Sequence, residues 1–110
     1  LFRTKAQARR ELEARRRALS TEEVVVKGRE AQKHLASLSF FQTARVVGLY
    51  AAQPFEVPTF DLAALVRSRG GIVCYPKVTE GNRHLTFQAV ADEAALVPAG
   101  FGILEPGSQA

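Results

Sequence analysis

Two kinds of residue in this sequence have the type and spacing to hold a ligand. The first is a pair of cations, Lys5 and Arg9, four positions apart. On a helix that spacing puts both on one face, where a point charge and a planar guanidinium can clamp phosphates together. The alternative is a solvated basic face making weak ion pairs with Glu11 and Glu13. The second is Glu56, in the stretch Ala51-Ala52-Gln53-Pro54-Phe55-Glu56-Val57-Pro58. A carboxylate in a loop after a strand can accept two N–H bonds from an amide or aminopyrimidine edge. The alternative is a surface acid favoured by the dipole of the next helix. Lys77, directly after Pro76 at a strand end, is a further ligand-contact candidate.

Other reactive residues point to no second chemistry. His34 lies on a predicted helix and reads as a surface or packing histidine. His84 opens a strand with no Cys, Asp or second His at metal spacing. There is no Ser/His/Asp order. Gly100-Phe101-Gly102 is too short to cradle phosphate and no helix follows it. Cys74 is the single cysteine, which excludes an internal disulfide and a multi-cysteine metal site. It reads as a small hydrophobe in a buried strand. Glu105-Pro106 lies in a loop, and its role is not readable from residue type.

The elements that must position these residues follow from patterning. Thr4 to Leu19 is rich in helix formers and free of Gly and Pro. Ala8, Leu12 and Leu19 fall in one stripe, with Lys5, Arg9 and Arg16 on the same side and Arg10 and Arg17 pointing elsewhere. Cations beside an apolar stripe can reach from the packed side of the helix into a site. Ser20-Thr21-Glu22-Glu23 is a capping box opening a second helix to about Leu38, with Val24, Ala31, Leu35 and Leu38 apolar. Phe40 and Phe41 close it. Val46-Val47-Gly48-Leu49-Tyr50 reads as a buried strand, and Pro54 marks a turn. Thr59 or Asp61 caps a third helix that ends at Gly70-Gly71. Ile72-Val73-Cys74-Tyr75 is a second strand that Pro76 stops, so residues 46–75 form a β-α-β unit. Lys77 to Arg83 is a polar loop containing Gly81-Asn82. Leu85, Phe87 and Ala89 alternate with polar residues in a strand with one exposed face. Asp92 to Leu96 is a helical turn, and 97–110 is irregular. A site after the first strand lies where open α/β sheets bind ligands, beyond the carboxyl ends of the strands.

The 110 residues, 46% of them apolar, suffice for one core. No apolar run is long enough to span a membrane and no secretory signal is visible. One cysteine fits a reducing cytoplasm. The net charge of +4 is uneven: residues 1–19 carry seven Lys/Arg against two Glu, and residues 20–110 eight against nine acids. Such a basic helix fits nucleic acid, a membrane surface or an anionic small ligand. About three strands are made, so the sequence reads as the first half of something larger, and its first residue, Leu1, points to missing residues upstream.

The ordered set of Lys5-x-x-x-Arg9, Arg16-Arg17-Ala18-Leu19-Ser20, Val46-Val47-Gly48-Leu49-Tyr50, Glu56-Val57-Pro58-Thr59, Tyr75-Pro76-Lys77-Val78, Leu85-Thr86-Phe87 and Gly102-Ile103-Leu104-Glu105-Pro106 resembles the N-terminal half of the 5-formyltetrahydrofolate cyclo-ligase family. The likeness runs from Lys5 to Pro106. It implies a Rossmann-like α/β fold, with a parallel or mixed sheet flanked by helices. Residues 1–110 would be the N-terminal part of one domain: helical over 1–40, β-α-β over 45–76, strand and loop over 84–110. It also implies an enzyme that uses ATP and Mg2+ to cyclise 5-formyltetrahydrofolate to 5,10-methenyltetrahydrofolate, cytoplasmic and monomeric when full-length. Lys5 and Arg9 would contribute to the ATP phosphate site, and Ala51 and Glu56 would contact the folate. The family usually has an acid where Pro58 stands. Its Gly-rich, Arg-bearing loop and metal site belong to the second half, and nothing like them occurs here, so this stretch alone is expected to be inactive. The competing readings are a nucleic-acid-binding module using the basic first helix and a structural half-domain that pairs with another chain. A neutral remainder and the lack of an aromatic stacking platform speak against nucleic acid.

Overall fold

The computed structural model describes residues 3–79, 81 and 84–107. In chain order the elements are α1 (Lys5–Arg17), α2 (Thr21–Ala36), α3 (Ser39–Thr43), β1 (Val46–Gly48), α4 (Phe60–Ser68), β2 (Ile72–Val78), β3 (Leu85–Ala89), β4 (Leu96–Pro98) and β5 (Leu104–Pro106). The predicted mixed α/β class holds. β1 and β2 are parallel, joined through α4, and β3 runs antiparallel to β2. The first two helices start on reciprocal caps: Thr4 with Gln7, and the predicted Ser20 with Glu23. The Ser20 partners hold the Glu23 carboxyl below its usual range. The predicted Gly70 stop is also present, at φ 81°, a conformation that suits glycine.

The core lies on one face of the sheet. Leu49, Val73, Tyr75 and Val90 meet Leu62, Ala63 and Val66 of α4, Phe41 of α3, and Leu96. Beneath it Arg67 donates through Nη1 to both Glu93 oxygens, at 2.6 and 2.8 Å, and through Nη2 to the Val90 carbonyl at 2.7 Å. Tyr75 Oη donates to Glu93 Oε1 at 3.0 Å. Burial alone would raise the Glu93 carboxyl, but Arg67, its own backbone N–H and Tyr75 together hold it below the ordinary value. The same pocket pushes the Tyr75 phenol well up, through burial first and Glu93 second.

Several expectations are corrected. α2 does not bury Ala31 and Leu38, which are exposed; it buries Gly28 and Gln32. Gly28 faces Pro58, whose Cδ would lie 2.5 Å from an added Cβ. Gln32 Oε1 accepts from the Asp61 and Leu62 amides, at 3.1 and 3.2 Å. Gln32 therefore caps α4, in place of Thr59 or Asp61. Phe40 and Phe41 do not close α2 but belong to the separate α3, where Phe41 is buried and Phe40 exposed.

β1 is an edge strand, not a buried one. Pro76 does not stop β2, which continues to Val78. The Val90 amide bonds the Val73 carbonyl, so by alternation the nitrogens of 74, 76 and 78 face away from β3, toward the β1 side. β1 has ended by then, and no ladder bond is lost to the proline. In β3, Leu85 and Phe87 lie on the open face, each 58% exposed, while Val90 beyond it turns inward. Residues 97–107 are not irregular. β4 and β5 pair antiparallel around a 3-10 turn at Gly100–Gly102, with Gly102 at φ 73°. Of the predicted loop before β3, Gly81 adopts φ 86°, whereas Asn82 and Arg83 lie outside the described residues.

Candidate functional site

Beyond Gly48 the chain leaves β1 and crosses the carboxyl ends of the strands. Two hydrogen bonds strap this crossing down. Thr59 Oγ1 donates to the Tyr50 carbonyl at 2.8 Å, and Tyr50 Oη donates to the Val57 carbonyl at 2.8 Å. Between the straps, residues 53–56 make a tight turn. The Glu56 amide donates to the Gln53 carbonyl at 2.9 Å, and Glu56 Oε1 accepts from the Gln53 amide at 2.8 Å. The carboxylate is thus fixed by its own turn, while Oε2 has no partner among the described residues. Burial raises the Tyr50 phenol, and the Glu56 charge adds to the effect, so Tyr50 stays a hydrogen-bond donor at neutral pH.

This crossing forms one wall of a cleft of about 710 Å³. Tyr50, Ala51, Gln53 and Glu56 line that wall, Pro76, Val78 and Leu85 the floor, and Ile103, Leu104 and Glu105 the opposite side. The lining is mostly apolar with two carboxylates. That character suits a flat, partly apolar ligand carrying N–H donors at its edge. The second carboxylate, Glu105, is held by the Val78 amide, which donates to its Oε2 at 3.4 Å. A smaller cleft of about 470 Å³ lies between Ala31 and Leu35 of α2 and the sheet residues Gly48 and Phe87. Tyr50 and Pro76 line both clefts and stand between them.

Of the residues singled out from sequence, Ala51 and Glu56 come together in the larger cleft. Lys77 does not join them: it is half-buried on the opposite side of β2 from Pro76 and Val78. Lys5 and Arg9 are exposed on α1, have no ion-pair partner among the described residues, and are not among the cleft's lining residues. The acids Glu11 and Glu13 pair instead with Arg15 and Arg17, at 3.3 and 3.0 Å. No residue of α1 is buried, so the stripe of Ala8, Leu12 and Leu19 is not a packed seam. Arg17 also does not point away from the site: Arg16 and Arg17 both stack on Phe55, 5.3 and 4.5 Å from the ring centroid.

Sequence reasoning missed the roles of Tyr50, Phe55 and Glu105. A helical wheel cannot show Phe55, because its partners lie some forty residues earlier in the chain. Glu105 becomes visible only once β5 sets it beside β2. Cys74 is half-buried, and among the described residues no three His, Cys, Asp or Glu side chains converge as metal ligands. No helix among them is long and apolar enough to cross a membrane. In comparison with known proteins, the 5-formyltetrahydrofolate cyclo-ligase family matches residues 2–110. No curated protein matches the chain.

Proposed function

Because the chain belongs to the 5-formyltetrahydrofolate cyclo-ligase family, we propose that it serves the ATP-dependent cyclisation of 5-formyltetrahydrofolate to 5,10-methenyltetrahydrofolate. The observation that carries this reading is the cleft in which Ala51 and Glu56 meet. The pterin ring lies against the apolar floor, and Glu56 accepts hydrogen bonds from its aminopyrimidine edge. Lys5 and Arg9, exposed and with no ion-pair partner among the described residues, take the ATP phosphates.

In the reaction the formyl oxygen attacks the γ-phosphorus, forming an O–P bond as the bond to ADP breaks. Nitrogen 10 then attacks the formyl carbon and loses its proton, and the C–O bond breaks to release phosphate. Phosphoryl transfer of this kind needs positioning and charge neutralisation more than a protein nucleophile. The described residues supply cations and a shaped cleft for it. Among them no three metal-ligating side chains converge, so Mg2+ bound with ATP would rest mainly on the phosphates, where it would neutralise charge.

In this reading the full-length protein is monomeric and cytoplasmic, and residues 1–110 form the N-terminal part of its single cyclo-ligase domain. Support comes from the uncovered apolar face of the sheet, where Val46, Val78, Leu85 and Phe87 are each more than half exposed. A parallel pair of strands is ordinarily covered on both faces.

Glu56→Gln tests the assignment. Losing a hydrogen bond to a charged group costs about 1.5–3 kcal/mol, so folate Kd is expected to rise about tenfold to a hundredfold with ATP affinity little changed. Unaltered folate affinity would overturn it.

A further inference from the structure

We propose that Phe55 is a positioning residue that couples the nucleotide end of the molecule to the folate end; this rests on the cyclo-ligase reading. α1 carries Lys5 and Arg9 near its N-terminus, yet none of its residues is buried. Its C-terminal end meets the loop of the cleft through Arg16 and Arg17, whose guanidinium groups lie 5.3 and 4.5 Å from the Phe55 ring centroid. The Arg17 group is itself oriented by Glu13, at 3.0 Å. Phe55 sits inside the tight turn closed by Gln53 and Glu56, directly beside the folate-binding acid. A displacement of α1 therefore acts on the turn that aims the Glu56 carboxylate, and fixing that turn with folate fixes α1. Two ligands that each favour the docked helix bind with positive coupling, and the coupling is reciprocal.

The test compares Phe55→Ala, Phe55→Leu and Phe55→Tyr in the full chain, with two readouts. The first is amide exchange of the ligand-free protein. Removing the two cation–π contacts is expected to speed exchange across residues 5–17 about fivefold in Phe55→Ala and Phe55→Leu, but not in Phe55→Tyr, with α4 unchanged in all three. Equal exchange in Ala and Tyr variants would overturn the docking role whatever the protein's activity. The second is the Kd of a non-hydrolysable ATP analogue with and without 5-formyltetrahydrofolate. A coupling of about fivefold or more is expected in the wild type and in Phe55→Tyr, falling toward one in Phe55→Ala and Phe55→Leu. Coupling retained in Phe55→Ala overturns the proposal with the cyclo-ligase reading intact. Failure of the wild type to bind either ligand overturns that reading and the coupling with it, leaving the exchange result to report on docking alone.

Discussion

Glu93 and Gln32 show how single polar side chains hold this fold. Glu93 is ionised against Arg67 and Tyr75, and its carboxyl is held below its ordinary value. A lowered folded-state value means that its contribution is present above the unfolded pKa, about 4.3. The contribution is lost as pH falls through the lowered folded value. Denaturant unfolding followed from about pH 7 to about pH 3 is expected to show that loss. Glu93→Gln should be less stable at neutral pH by about 1–3 kcal/mol and show a correspondingly shallower acid dependence. An unchanged pH profile would contradict the clamp. Gln32 serves a different purpose, supplying the acceptor for two amides at the start of α4. Gln32→Leu takes the acceptor from the buried Leu62 amide and from the Asp61 amide before it and should cost about 1–3 kcal/mol, read as a lower midpoint in the same titration.

The elements were legible where local signals decide them. The Ser20-x-x-Glu23 box and the Gly70 stop are both set by residues within a turn of where they act, whereas α4 takes its cap from Gln32, far along the chain. They were illegible where a partner lies far along the chain. Pro76 reads as a terminator until the end of β1 is known, and β4 and β5 are too short to carry a period. The candidate site divides in the same way: a strand end followed by a loop acid is visible in Ala51 and Glu56, whereas the contact of α1 with Phe55 lies outside the helix's own wheel. For α1, Lys5→Ala or Arg9→Ala should weaken ATP about tenfold or more, while Arg10→Ala should leave it unchanged. Arg17 is no control for that comparison, since it touches Phe55. Equal losses from all three substitutions, with a steep salt dependence, would mark α1 as a diffuse basic surface suited to nucleic acid.

At the scale of the whole molecule the sheet has one packed and one open face. Val46, Ile72, Val78, Leu85 and Phe87 stand on the open side, from 49% to 62% exposed and with no charge among them. Contiguous apolar surface of this kind drives association. The 110-residue chain is expected to self-associate with rising concentration in sedimentation, and Leu85→Thr with Phe87→Thr should reduce this without lowering the thermal midpoint. A wild-type chain that stays monodisperse would contradict the inference. The edge beside β1 behaves differently. Past Gly48, β2 offers a passing strand no amide hydrogen at Pro76, and its next one, at Val78, is engaged by Glu105. An extended foreign segment cannot zip onto the sheet there, because two successive rungs of the ladder are missing. The gap that denies a strand its footing leaves room for a small molecule, so the proline that keeps the sheet from growing is also what keeps the cleft from filling with protein.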